Sequence, residues 1–94
     1  MKEIKDFEIV LKAFHDQKKF RMKVALTYQS DRVLRFSITG GLKEIRMEKQ
    51  LSRKINPWKV TGVNFKMEGS TEAIALHLLM IQDEIDYHLK YRKE

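Results

Sequence analysis

From Phe20 to Gln29 the chain alternates, with Phe20, Met22, Val24, Leu26 and Tyr28 on one side and Arg21, Lys23, Ala25, Thr27 and Gln29 on the other. A period of two residues is that of a strand with one buried and one wet face. Three further strand-like segments follow, at 33–39, 42–51 and 58–67. Between the first two of these, Gly40-Gly41 supplies the positive φ that a two-residue hairpin turn requires. With that turn Leu34 faces Met47, Phe36 faces Ile45, and Arg35 faces Arg46.

The other connections are set by parity, because a one-residue slip moves every side chain to the wrong face. A three-residue loop at Ser30-Asp31-Arg32 opposes Tyr28 to Leu34, Leu26 to Phe36 and Val24 to Ile38, whereas a two-residue turn opposes Leu26 to Arg35. In the last segment Trp58 and Val60 have one parity and Val63, Phe65 and Met67 the other, which predicts a β-bulge at Gly62. Pro57 stands at the mouth of that strand, where its missing N–H is tolerated.

Helical spacing brackets the strands. Ile4, Phe7, Leu11 and Phe14, with Val10 beside them, predict an amphipathic helix from Lys2 to about Gln17. Ser70 or Thr71, followed by Glu72, opens a second helix reaching about Tyr91, with Ile74, Leu78, Ile81, Ile85 and Leu89 as its main stripe. The expected fold is α+β in the order αββββα. It comprises an N-terminal helix, a four-stranded antiparallel meander and a long C-terminal helix, with both helices on one face of the sheet and one domain over residues 1–94. Between Ala73 and Ile81 only His77 interrupts the apolar residues. The flank at Leu76, Leu79 and Met80 therefore needs a second surface, either the first helix through Val10 and Phe14 or another subunit.

Charge narrows the function classes. The chain of 94 residues has 19 Lys and Arg against 13 Asp and Glu, a net charge of +6, which suits an anionic partner. Without cysteine there is no disulfide, thiolate metal site or cysteine nucleophile. Met1 to Asp6 contains no apolar run of signal-peptide type, and the block from Ala73 to Ile81 is too short to span a bilayer, so the expected location is the cytoplasm, off the membrane.

Residues with catalytic potential do not assemble into a motif. His77 and His88 lie eleven residues apart on one helix, about 16 Å along its axis, too far to share a metal. Glu84 and His88 are one turn apart, His15 stands beside Asp16, and Asp86 with Lys90 has the spacing of an ordinary helix ion pair. Gly40-Gly41 lacks the downstream lysine of a phosphate-binding loop, and no histidine neighbours Ser30, Ser37, Ser52 or Ser70 in sequence. Met22, Met47, Met67 and Met80 fall on core positions. No catalytic residue, metal or cofactor is expected, and the chain is read as a non-enzyme.

What remains is the wet side of the sheet, where Arg21, Lys23, Arg35, Arg46 and Lys66 outnumber Glu44 and Glu48. Lysine and arginine in this number suit phosphate contacts that do not read bases. Glu44 and Glu48 flank Arg46, and if they neutralise it the face is an ordinary solvated one. Phe20, Tyr28, Phe36, Trp58 and Phe65 all have core parity, so base stacking on the sheet is not expected.

A strand meander before a long helix resembles, in topology, the single-strand-binding transcriptional coactivators, and a helix-sheet-helix order resembles double-stranded RNA-binding domains. Neither resemblance carries a motif. The second helix opens Ser70-Thr71-Glu72-Ala73-Ile74, without the paired lysines of the RNA-binding domain, and four strands stand where that domain has three. The expected function is a small binding module whose basic sheet face contacts the backbone of DNA or RNA, or another polyanion. The alternative is a protein-interaction module, a homodimer or adaptor, that uses Leu76, Leu79 and Met80.

Overall fold

The computed structural model describes residues 5–12, 19–67 and 69–91. Five strands, β1 (Phe7–Lys12), β2 (Lys19–Gln29), β3 (Val33–Gly40), β4 (Lys43–Gln50) and β5 (Trp58–Val63), precede one helix, α1 (Thr71–Tyr91). The sheet is an antiparallel meander in the order β1-β2-β3-β4-β5, and α1 packs on one face of it. The class is α+β, with five strands and one C-terminal helix in place of the expected four and two. No helix among the described residues is long and apolar enough to cross a membrane.

The N-terminal helix is the main correction. Phe7 and Leu11 satisfy a helical spacing, but Phe7, Ile9 and Leu11 also alternate with Glu8, Val10 and Lys12. Strand pairing prevails because β2 is longer than β1, and its stretch Lys19–Val24 would otherwise leave an open edge of unpaired backbone groups. As a strand, β1 buries Phe7, Ile9 and Leu11 against the core. Phe14 and His15 lie outside the described residues.

Parity survives the change. Val24, Leu34, Phe36, Ile38, Ile45 and Met47 form the apolar floor with the three β1 residues, and Ile81 and Ile85 of α1 close over it. Each of these buried side chains contributes about 1.5–3 kcal/mol relative to exposure. The helix starts where Ser70 caps it, its hydroxyl accepting from Ala73 N at 3.1 Å. Near its other end Asp86 accepts from Lys49 Nζ at 2.5 Å and from Trp58 Nε1 at 3.1 Å, which ties α1 to β4 and β5. This cross-element contact replaces the expected local pair with Lys90. His88 stacks on Phe7 at 3.7 Å between ring centroids, joining α1 to β1.

One turn and two bulges differ from expectation in detail. The β3–β4 turn is Gly41-Leu42, with Gly40 opposite Lys43, so Phe36 meets Met47 and Ile38 meets Ile45. Moving the turn by one residue shifts the register by two, which keeps every face but changes every pair. The β2–β3 loop is Ser30-Asp31-Arg32, its Ser30 hydroxyl accepting from Arg32 N and Val33 N at 3.2 and 3.1 Å. Val24 faces Ile38 and Leu26 faces Phe36 as expected. Thr27 then bulges, so Tyr28 pairs with Arg35 instead of Leu34 and turns to the outer face. The expected β5 bulge is present one residue away from Gly62: Met47 faces Val60 and Arg46 faces Gly62, which leaves Thr61 as the extra residue. Strand β5 ends at Val63, yet Phe65 and Met67 still pack against the core.

Glycine is required at Gly41, whose φ is +62°, whereas Gly62 has no positive φ and a Cβ there would meet Arg46 Cδ at an ordinary 3.9 Å. Gly41→Val should therefore destabilise by about 1–2 kcal/mol, and Gly62→Val should stay within about 0.5 kcal/mol of wild type. Urea denaturation of the two variants checks the contrast, and equal losses would contradict the assignment of the turn.

Candidate nucleic-acid interface on the outer sheet face

Because apolar residues claim one face, the intervening positions are driven to the other. The outer face carries Lys19, Arg21 and Lys23 from β2, Arg35 from β3, Arg46 from β4 and Lys59 from β5, against Glu8 from β1 and Glu44 and Glu48 from β4. Of the expected binding residues, Arg21, Lys23, Arg35 and Arg46 are on this face and exposed. Lys66 is exposed but lies past the end of β5, in the connection to α1. Lys59 belongs to the face in its place, and its alternation with Trp58 and Val60 was the signal that marks it.

The register decides how these charges neutralise one another. Arg35 faces Glu48, not Arg46, and its Nε donates to Glu48 Oε1 at 2.9 Å. Gln50 Nε2 donates to the other oxygen at 3.4 Å. Arg46 faces Ser37 and donates from Nε to Glu44 Oε1 at 3.2 Å, while the Ser37 hydroxyl donates to Glu44 Oε2. Each carboxylate on β4 is therefore committed through both oxygens. Such pairs at the surface hold side chains in place more than they stabilise the fold.

By contrast, Lys19, Arg21 and Lys23 form no ion pair among the described residues. Arg21 lies opposite Val10, and Lys23 lies between Glu8 and Thr39. The uncompensated charge on the face is thus concentrated along β2. Tyr28 is at the far end of the same strand, 48% exposed, with the Arg35 guanidinium 4.9 Å from its ring centroid. The expectation that every sheet aromatic faces the core fails at this residue, because the Thr27 bulge reverses its parity. Phe20 keeps core parity but is half-exposed at the strand end. Beside Arg35, a shallow hollow of about 320 Å³ is lined by Arg32, Val33, Arg35, Glu48, Gln50 and Ser52.

On the helix, Leu76 and Leu79 are exposed, whereas Met80 packs against the core of its own chain. Val10 does not cover this flank from a first helix, since it sits on β1 opposite Arg21. Glu84 and His88 line a second hollow of about 280 Å³ with Glu8, Ile9, Val10 and Tyr87. Among the described residues no group of three His, Cys, Asp or Glu is placed to hold a metal ion. Compared with protein-family models, curated proteins and solved structures, the chain matches none of them.

The two carboxylates respond to their partners. Glu44 is held below the ordinary 4.5 chiefly by the Ser37 hydroxyl; desolvation opposes this, and the charge and hydrogen bond of Arg46 add to the lowering. Glu48 is held below 4.5 first by the Arg35 hydrogen bond, then by Gln50, with the charges of Arg35 and Lys59 adding to it. Since a lowered folded value favours the ionised folded state, this stabilisation is complete above 4.5 and is lost as pH falls through the lowered values. Carboxyl NMR titration should place both midpoints below 4.5, with Ser37→Ala raising that of Glu44 and leaving that of Glu48 in place. Midpoints at the ordinary value would dissolve both pairings.

Proposed function

We propose that this chain is a non-enzymatic binding module whose outer sheet face holds nucleic-acid backbone. The observation that carries this reading is the division of labour among the cations. Glu44 and Glu48 are occupied by Arg46 and Arg35, and Lys19, Arg21 and Lys23 remain available along one strand. An open row of fixed cations suits a polymer of phosphates, which is bound by counterion release. Arg35 and Arg46, each already bonded to a carboxylate, contribute less than their exposure suggests. Replacing both Arg21 and Lys23 with glutamine should weaken DNA and RNA binding alike and flatten the log affinity against log salt slope by about 1.4–1.8. Replacing Arg35 and Arg46 should have a smaller effect. An unchanged slope in the Arg21 and Lys23 variant, or no salt-sensitive binding by the wild type, would overturn the reading.

A second reading, self-association through α1, is favoured by one observation: Leu76, Leu79, Tyr87 and Tyr91 are 50, 51, 57 and 62% exposed on a single helix. Apolar side chains grouped in this way mark interaction surfaces more often than scattered ones do. Asp83 and Glu84 interrupt the group and set a cost on burying it. Both functions are compatible, because the flank and the outer sheet face lie on opposite sides of the molecule. Sedimentation at tens of micromolar should show a dimer that Leu76→Ser with Leu79→Ser returns to monomer. A monomeric wild type would remove this reading.

A further inference from the structure

The upper half of β2 stands at a corner of the sheet. Among the described residues, β1 pairs with β2 only as far as Phe7 opposite Val24, and β3 pairs with β2 along its other edge. The Thr27 bulge turns Tyr28 outward at this corner, where the Thr27 hydroxyl also bonds Arg35 O at 3.2 Å. Arg35 lies over the ring at 4.9 Å, and the ring is still 48% exposed. Between Tyr28 and the cations the outer face is low, with Ala25 opposite Ser37. On the other side of that gap Lys23, Arg21 and Lys19 follow at alternate positions, about 6.8 Å apart.

We infer that the ligand of this face is a single strand of nucleic acid running along β2, with its phosphates on Lys19, Arg21 and Lys23 and one base stacked on the exposed ring of Tyr28. This inference rests on the backbone-binding reading and adds the strandedness of the ligand. Single-strand sites combine a cationic track with an aromatic ring, because an unpaired base has a free π-face and a paired base does not. Arg35 on the ring fixes its orientation, so little side-chain freedom is lost when a base arrives. A duplex meets the same cations but keeps its bases stacked inside and cannot use Tyr28.

The test measures fluorescence anisotropy of labelled oligothymidylate of about twelve nucleotides, an abasic strand of equal length, and the corresponding duplex, within the size of known single-strand sites. Wild type should prefer oligothymidylate over both other ligands by about five-fold or more. Tyr28→Leu should lose that preference while binding the abasic strand as wild type does, and Tyr28→Phe should keep it. Circular dichroism of the leucine variant confirms that it folds. Equal, salt-sensitive binding of all three ligands by the wild type, or an undiminished preference in the leucine variant, overturns the stacking role and leaves backbone binding standing. A leucine variant weakened equally toward all three also overturns it. Absence of binding to any of them overturns both readings together.

Discussion

The interaction on which the rest depends is the seating of Ile81 and Ile85 on the apolar floor of the sheet. One helix covers five strands, so each strand must present its apolar side chains to the same face or forfeit contact with it. That requirement selects the registers and explains the bulge in β5. At Thr61 an extra residue lets Val60 and Val63 pair with Met47 and Ile45 despite their opposite parity. With the floor completed, the charged positions between have only the outer face left to occupy. The basic surface is therefore a product of core packing as much as of charge content.

Register then converts composition into chemistry. Moving the β3–β4 turn by one residue shifts the register by two and leaves the core faces unaltered, yet it replaces an Arg35 to Arg46 opposition with Arg35 to Glu48 and Ser37 to Arg46. Like charges directly opposite are unfavourable, and opposite charges are favourable by a few tenths of a kcal/mol to about 1 kcal/mol. The outer face thus agrees with the register that the turn conformation at Gly41 permits. It also makes Arg35 and Arg46 the compensated cations and leaves β2 with the uncompensated ones.

The helix both completes the core and ties edge strands of the sheet to it. Its inner stripe builds the core, and its C-terminal half is anchored by Asp86 to Lys49 and Trp58 and by His88 to Phe7. Trp58 gains a partner for its indole N–H in this way, and no buried side-chain polar atom among the described residues lacks one. Asp86 and His88, whose spacing in sequence suggested local helix pairs, make contacts across elements.

The alternation in β2, β3 and β4, the stripe of α1 and a cap at Ser70 or Thr71 were legible in the chain itself, because each is a local pattern with a period or a fixed offset. So were the division into wet and buried faces and the presence of Arg21, Lys23, Arg35 and Arg46 on the wet one. The strand at Phe7–Lys12 was not, since Phe7 and Leu11 fit both periods and only the free edge of β2 selects between them. Nor was the outward turn of Tyr28: parity is a property of unbroken pairing, and a bulge at Thr27 is visible only once β3 lies beside β2. Sequence determined which residues compete for the core and which must face water. Tertiary structure decided which cations are neutralised and where the outward-facing ring of Tyr28 stands, because cross-strand neighbours are set by register and register is set by the packing of the whole sheet against α1.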